Sequence, residues 1–253
     1  LSYNSVPATP TQRDRFNEVI GALPLVAARA DLRVVHAAWD DAAVQAITAL
    51  ELDLMGAFVH FERLVVDATA DISAEGAIEM RPWEGKLGDR ETTPPAPGAV
   101  SSWIEAESRK QNDNPVKLLT SGPEQGCPAG SRPRFVSGKY RLLERCDWWK
   151  AYEDEVPVVV GHYWRSRSGP QEPFPTKGPL DWLGPRGRVF CVDYSVGRRY
   201  LDRALEARGW PGAEPGSRGL AALLWPDASE VVEGWGGPEL LFSDGDRRST
   251  VGY

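Results

Sequence analysis

Two of the three histidines in this chain directly follow short apolar segments, and a third segment of the same kind ends in an aspartate. The residues at these positions are His36, His162 and Asp193. Continuous apolar segments of this length are typical of strands that are covered on both faces. In layered α/β folds, ligands and catalytic groups gather at the carboxyl ends of such strands. The three positions therefore predict a functional site at one edge of a sheet.

The chemistry that these histidines suit best is the binding of a divalent transition metal. A neutral imidazole nitrogen is a good ligand for such ions, and a strand end leaves the ring little freedom to lose. Gly161 precedes His162 and permits a tight turn that would swing the imidazole over the strand end. A lone histidine beside apolar residues is more often a hydrogen-bonded core residue. The prediction therefore depends on His36 and His162 occupying the same kind of position.

The elements that position these residues follow from periodicity and from helix-capping residues. Apolar residues at helical spacing predict an amphipathic helix over 11–23. The β-branched segment 32–36 predicts a strand, and two aspartates after it predict a helix over 42–50. Segment 57–66 is compatible with a buried helix or with a strand, and a helix is favoured. Together these elements predict an α/β fold.

Length and composition favour one domain over 1–253. With 253 residues, 42% of them hydrophobic, the chain can bury a sizeable core. Segment 84–98 is rich in glycine, proline and charged residues and is predicted to be a surface loop or an insertion. The end of the chain, 236–253, is rich in glycine, aspartate and arginine and is predicted to be a flexible tail.

Charge and apolar content limit the partners. A formal net charge of −7 argues against broad binding to nucleic acid or to anionic membranes. No apolar run approaches the roughly 18 residues of a membrane span, and the sequence after Leu1 lacks a signal-peptide pattern, so the expected compartment is the cytoplasm. The three cysteines form no Cys-x-x-Cys pair, which predicts reduced thiols rather than disulfides or a structural zinc site.

Three segments resemble a known family. They are Leu32–Asp40 (LRVVHAAWD), Val156–Arg165 (VPVVVGHYWR) and Gly187–Val196 (GRVFCVDYSV). In this order they resemble the late segments of bacterial calcineurin-like metallophosphoesterases, a family that includes serine/threonine phosphatases and diadenosine tetraphosphatases. Asn114–Glu124 and Trp148-Trp149 are similar to the same subgroup, and the resemblance covers about 14–235. It implies an α/β fold with a calcineurin-like two-sheet β-sandwich, here incomplete, that is flanked by helices.

The resemblance also implies roles for single residues. In the family, two divalent ions, usually manganese, iron or zinc, bind the phosphate, and His36 and His162 match the late histidines that ligate the second metal. Arg165 is expected either to contact phosphate or to be an ordinary solvated arginine. Asp193 is expected either to fix an imidazole tautomer or to be a polar strand end bonded to backbone. Gly161 belongs to the same motif.

The motifs of the family's first half are absent from this sequence. Asp-x-His, Gly-Asp-x-x-Asp-Arg-Gly and Gly-Asn-His-Glu do not occur in it. These motifs supply the first-metal ligands, the bridging aspartate and the histidine that protonates the leaving group, so no catalytic acid or base is assigned here. At most one weakly bound ion is expected on this chain. A truncated enzyme, a first half on another chain and a degenerate descendant all explain the absence, and Leu1 in place of methionine favours truncation.

The expected function is that of the C-terminal part of a metal-dependent phosphoesterase. A metal-activated water would hydrolyse phosphoric monoesters or phosphoanhydrides, and this chain alone would be weakly active or inactive. The substrate would be a phosphorylated small molecule, a dinucleoside polyphosphate or a phosphoprotein. The alternative is a non-catalytic descendant that binds a ligand or a partner through an aromatic-rich surface. That surface would include Trp103, Trp148, Trp149, Trp164 and Trp182.

Overall fold

The computed structural model describes residues 7–128, 130–136, 138–168, 174, 177–209, 218–226, 238–242 and 248–250. The protein is of the mixed α/β class, as the sequence predicted. Its contacts divide it into two compact units: a first unit of Leu1–Leu25 and Asp40–Cys146, and a second of Val26–Trp39 and Asp147–Tyr253. The assignment of 1–253 to one domain stays a prediction.

The helices include all three that were predicted from the sequence. They are α1 (Pro10–Gly21), α2 (Asp41–Thr48), α3 (Leu54–Ala68), α4 (Ala70–Met80), α5 (Ser101–Asn112), α6 (Pro115–Ser121) and α7 (Arg199–Glu206). Side-chain caps start several of them: the Thr9 hydroxyl accepts a hydrogen bond from the Gln12 amide, and the Asp40 carboxylate accepts one from Ala43. Short 3-10 turns cover Arg81–Trp83, Pro97–Ala99, Trp148–Ala151 and Val196–Arg198.

The strands form one larger sheet and several small ones. They are β1 (Val26–Arg29), β2 (Leu32–Val35), β3 (Glu124–Gly126), β4 (Arg134–Val136), β5 (Lys139–Arg141), β6 (Leu143–Arg145), β7 (Val158–Val160), β8 (Val189–Cys191), β9 (Ala221–Leu224), β10 (Glu239–Phe242) and β11 (Arg248–Thr250). The strand order in the larger sheet is β1-β2-β7-β8. The small sheets have the strand orders β11-β10-β9, β3-β6 and β4-β5.

The sheet that carries the candidate site lies in the second unit. Strands β2, β7 and β8 are parallel, and β1 pairs with β2 in the antiparallel direction. The central strand β7 is buried along its whole length, and so is β8, as their uninterrupted apolar sequences predicted. Parallel strands end at the same edge of a sheet, so the residues after β2, β7 and β8 meet there.

The two sheets of the second unit share one apolar cluster. Val159 and Phe190 contribute to it from the larger sheet, and Leu240 contributes from β10. Trp182 and Tyr194 complete its buried members. Strands β10 and β11 fall within 236–253, the segment that the sequence predicted to be a flexible tail, and Leu240 in β10 has no solvent exposure. The remaining tail residues, apart from 238, lie outside the described part of the chain.

The first unit is mainly helical. Helices α4 and α5 approach closely because Gly76 has no side chain: a Cβ there would lie 2.5 Å from the Trp103 Cα atom. The buried Asn114 caps α6 through its side-chain oxygen and donates to Glu62 of α3 across 3.1 Å. Segment 84–98 consists of turns and a short 3-10 turn rather than regular helix or strand. None of the helices in the described residues combines the length and the apolar character needed to cross a bilayer.

Candidate metal centre

The carboxyl ends of β2 and β7 bring the two candidate histidines together. Val35 pairs with Val160 in parallel register, so the residues that follow them leave the sheet side by side. The Gly161 amide donates to the His36 carbonyl oxygen across 2.9 Å and extends the pairing by one residue. The centres of the His36 and His162 rings are 5.4 Å apart, with 62° between the ring planes. Two residues distant in sequence thus form one side-chain pair.

The ring spacing suits two imidazoles that share one ion. A metal about 2.0–2.1 Å from one nitrogen of each ring would lie about 3.2 Å from each ring centre. For ligand–metal–ligand angles between roughly 90° and 120°, the ring centres would be about 4.5–5.5 Å apart. The observed 5.4 Å falls at the upper end of this interval. His36 is exposed, whereas Nε2 of His162 is buried, so the pair spans the boundary between solvent and interior.

The described residues do not complete a metal site around this pair. In the ranges that the structure describes, no group of three or more His, Cys, Asp or Glu side chains is placed to hold an ion. Two imidazoles leave most of a tetrahedral or octahedral shell to other groups. The pair therefore fits two positions of a metal shell. The two-ion centre implied by the resemblance, and the single weakly bound ion expected on this chain, stay predictions.

His162 has a left-handed backbone conformation. Its φ is 62°, and among the described non-glycine residues only Ser195, at 59°, shares this sign. Such a conformation costs of order 1–2 kcal/mol for a residue with a Cβ, and strain of this kind clusters at functional sites. The sequence analysis assigned the turn to Gly161, but φ is not positive there, and an added Cβ would meet the His36 carbonyl oxygen at an ordinary 3.6 Å. The histidine itself makes the turn.

Asp193 follows β8 and shapes the chain after it. Its Cβ would lie 4.0 Å from a Cβ added at Gly161, so it is next to the backbone of the histidine pair. Its carboxylate accepts a 2.8 Å hydrogen bond from the Ser195 amide. Its carbonyl oxygen accepts another, also of 2.8 Å, from the Arg165 amide. These contacts correspond to the backbone-bonded alternative, and a role in fixing an imidazole tautomer stays a prediction.

Arg165 is buried in the second unit rather than exposed in a loop. Its Nη1 donates to the Cys191 carbonyl oxygen at 3.3 Å, and its Nη2 donates to the carbonyl oxygens of Gly178 at 2.8 Å and Asp181 at 2.7 Å. Its guanidinium also lies 5.2 Å from the ring centre of Phe190. Burial lowers the pKa of this guanidinium. Arg165 therefore ties the loop around 178–181 to the end of β8, and a phosphate contact by this residue stays a prediction.

Arg33 holds the strand that ends in His36. It donates to Asp154 across 2.6 Å and to the Tyr152 hydroxyl across 2.9 Å, and it lies 4.8 Å from the Trp39 ring centre. Burial lowers the pKa of Arg33, but the hydrogen bonds outweigh it and raise the pKa overall. The same pairing lowers the pKa of Asp154 against the opposing effect of burial. A charged pair thus fixes β2 close to the candidate site.

The other candidates from the sequence are dispersed. His60 is an exposed residue of α3 in the first unit, whereas His36 and His162 belong to the second. Among the tryptophans of the proposed aromatic surface, Trp149 and Trp182 are buried and Trp164 is exposed. Trp103 belongs to the first unit. Trp149 and Trp182 therefore serve as packing residues, and the partner-binding alternative stays a prediction.

Comparison with known proteins leaves the resemblance resting on the sequence segments alone. No protein-family profile, curated protein or solved structure matched this chain.

The sequence placed His36, Gly161, His162 and Asp193 at strand ends, and the structure has them there. It did not reveal the burial of Arg165 or the strained φ of His162. Neither residue type carries a sequence signal for these features, since both depend on contacts with segments far along the chain.

Proposed function

We propose that this chain supplies two histidine ligands of one metal ion in a phosphoester hydrolase of the calcineurin-like class. The observation that carries the proposal is the His36–His162 pair, with ring centres 5.4 Å apart at the ends of adjacent parallel strands. The two sheets that pack through one cluster in the second unit support a sandwich of the calcineurin type. The family's other ligand motifs do not occur in this sequence, so the remaining ligands are not assigned to residues of this chain.

The part that these residues play is to hold two nitrogens at a fixed separation. When bound, divalent ions in such enzymes activate a water molecule and stabilise the charge on the phosphoryl group. The parallel pairing of β2 with β7 fixes the spacing of the two backbones. The turn at His162 directs its ring toward His36 instead of along the strand. Substrates of the class are phosphoric monoesters or phosphoanhydrides, carried by a small molecule, a dinucleoside polyphosphate or a phosphoprotein.

The ligand assignment can be tested by nuclear magnetic resonance on the chain as it stands. Mn²⁺ broadens the signals of ligands close to it, so a titration should broaden the imidazole signals of His36 and His162 together. His60 is the internal control, because it is an exposed residue of α3 outside the histidine pair, and it is expected to stay sharp. His36→Ala and His162→Ala should each abolish the selective broadening of the remaining partner at low Mn²⁺. Equal broadening of all three histidines would contradict the assignment.

Hydrolysis requires a separate test, since this chain lacks the other ligand motifs. A longer protein that carries those motifs together with this sequence should hydrolyse p-nitrophenyl phosphate in the presence of Mn²⁺. His36→Ala and His162→Ala should each lower kcat by about 100-fold or more, because each removes a ligand. His60→Ala should keep wild-type activity. If all three variants keep it, the pair is structural and the proposal fails.

A further inference from the structure

The first unit contains a large cavity whose lining comes entirely from that unit. Its volume is about 810 Å³, within the range of small-molecule sites. One wall is a helical stripe of α4 that includes Ser73 and Ala77, and the facing wall is the Trp103 side of α5. The turn 84–88 and Lys139 of β5 close the remaining sides. Both candidate metal ligands belong to the other unit, so the cavity is independent of them.

The turn that lines the cavity is held in place by a buried tyrosine. The Tyr140 amide donates to the Leu87 carbonyl oxygen across 2.9 Å, and its hydroxyl donates to the Arg90 carbonyl oxygen across 2.8 Å. The Trp83 indole donates to the Thr93 carbonyl oxygen across 3.1 Å. A wall fixed in this way keeps the cavity open without a ligand, which lowers the ordering cost of binding one.

The apolar part of the lining suits a planar ring. Trp83 and Trp103 both face the cavity, together with Met80 and Leu87. In the part of the chain that the structure describes, neither indole is in ring contact with another aromatic side chain or stacked on a cation. Indoles that have no aromatic or cationic partner in the protein can pair with an aromatic ligand in stacked or edge-to-face geometry.

The polar part of the lining favours an anion. Arg81 and Lys139 have no carboxylate partner among the described residues, and Lys110 is paired with Glu107 across 2.8 Å. Three cations therefore face two carboxylates, the second being Glu84, in a protein whose net charge is −7. A local positive excess on an acidic protein is a feature that selects negatively charged ligands.

A serine on the α4 wall carries a buried hydroxyl next to the cavity. The Oγ atom of Ser73 is buried and has no hydrogen-bond partner among the described residues. Buried polar groups are rarely left without a partner, and each exception calls for a water or a ligand. Ser73 lies on the α4 wall, and a bound ligand would accept the proton of this hydroxyl only after the side chain rotates toward the cavity.

The geometry points to a binding site in this cavity for a small planar aromatic anion. The two indoles hold the ring, and Arg81 and Lys139 attract the anionic group. This site goes beyond the proposed metal centre and does not depend on it. A suitable probe is naphthalene-2-sulfonate, which has both features and contains no phosphoester, so its binding is separate from any hydrolysis.

The test is calorimetric titration of the 253-residue chain with this probe and two partial analogues. Naphthalene-2-sulfonate should bind with one saturable site, at least about 10-fold more tightly than the neutral 2-naphthalenemethanol, since a ring-bound anion gains the cationic contacts. Methanesulfonate, which lacks the ring, should show no measurable binding. The absence of saturable binding by the naphthyl sulfonate, or equal affinity for the neutral analogue, would overturn the proposal.

Paired variants locate the site. Ala77→Trp fills the cavity from an exposed position of α4 and should weaken probe binding by about 10-fold or more, with circular dichroism confirming the fold. Arg81→Gln and Glu84→Gln should act in opposite directions, weaker and tighter by about 2- to 5-fold each, because one removes attraction and the other repulsion. Lys150→Gln, an exposed substitution in the second unit, is the matched control. Unchanged affinity in Ala77→Trp, or changes of the same sign at 81 and 84, would refute the site.

Discussion

The amide nitrogen of Tyr163 lies 2.6 Å from the carbonyl oxygen of Gly161, and this hydrogen bond closes a three-residue turn around His162. Turns of this size with positive φ at their centre are strained for residues with a Cβ. Such strain persists only where the surroundings over-determine the backbone. Tyr163 is fully buried against Trp149, with ring centres 5.0 Å apart, and Gly161 is bonded to His36. The neighbours on both sides thus fix the imidazole.

The strain at His162 predicts an unusual order of stability among substitutions. His162→Gly should be more stable than His162→Ala by about 1 kcal/mol, because glycine adopts positive φ without the cost of a Cβ. His162→Asn should lie between them, since asparagine tolerates this region better than alanine. Urea unfolding of the three variants measures the order directly.

His36 provides the matched control for this series. The backbone φ angle of His36 is not positive, so a glycine at this position has no conformational advantage over alanine. His36→Gly should therefore be less stable than His36→Ala, by about 0.5–1 kcal/mol. The reversal of the glycine–alanine order between the two sites is the expected result. The same order at both sites would show that the turn at 162 is not strained.

The sequence predicted the secondary structure around the site more fully than its side-chain geometry. The strands that end before His36 and His162 and the helix over 57–66 were predictable, because local periodicity and β-branched composition determine them. The adjacency of β2 and β7 was not, since it depends on which strands pair across a long chain separation. Sequence patterns place residues at strand ends but do not specify which ends are neighbours.

Arg165 shows a second limit of local patterns. Its position three residues after His162 suggested an exposed loop residue or a phosphate contact. The structure buries it, with carbonyl oxygens of Gly178 and Asp181 as acceptors, and the phosphate contact stays a prediction. Asp181 directly precedes Trp182, which packs in the core cluster. An arginine is buried only when such acceptors are in place, and the sequence gives no sign of them.

Arg165→Met should therefore be strongly destabilising. The change removes three hydrogen bonds to backbone carbonyl oxygens, of which the bond to Cys191 is buried and the other two are partly buried, and the expected loss is about 3 kcal/mol in the free energy of unfolding. Arg165→Lys should recover only part of this, because an ammonium cannot span the three acceptors in a planar fork. Denaturant unfolding measures both values.

Arg198 is a suitable control for the Arg165 substitutions. It is exposed, and its guanidinium lies 5.6 Å from the Trp164 ring centre. Arg198→Met should change the free energy of unfolding by no more than about 0.5 kcal/mol. If Arg165→Met and Arg198→Met had the same free energy of unfolding, Arg165 would not stabilise the fold. That result would favour the phosphate contact.

The thiol of Cys191 should be inert in the folded protein. It is fully buried, its Sγ donates to the Tyr163 carbonyl oxygen across 2.8 Å, and burial raises its pKa to about 12. Thiolate is the reactive form, so a thiol reagent such as Ellman's reagent at pH 8 should modify at most Cys127 and Cys146 in the native state. Release of a third thiol only after unfolding is the expected result. Rapid native reaction of Cys191 would contradict its placement at the end of β8.

The pairing of Arg33 with Asp154 predicts a pH-dependent contribution to stability. The folded pKa of Asp154 is lowered, so its contribution is fully present above the unfolded pKa of about 4 and is lost as pH falls through the lower folded value. Asp154→Asn should cost about 0.5–1 kcal/mol at pH 7, a modest value because the carboxylate is partly exposed. The difference between wild type and variant should shrink below about pH 4. Urea unfolding of both proteins at pH 7, 5 and 3 measures this difference. An equal difference at all three pH values would show that Asp154 does not stabilise the protein through its ion pair with Arg33.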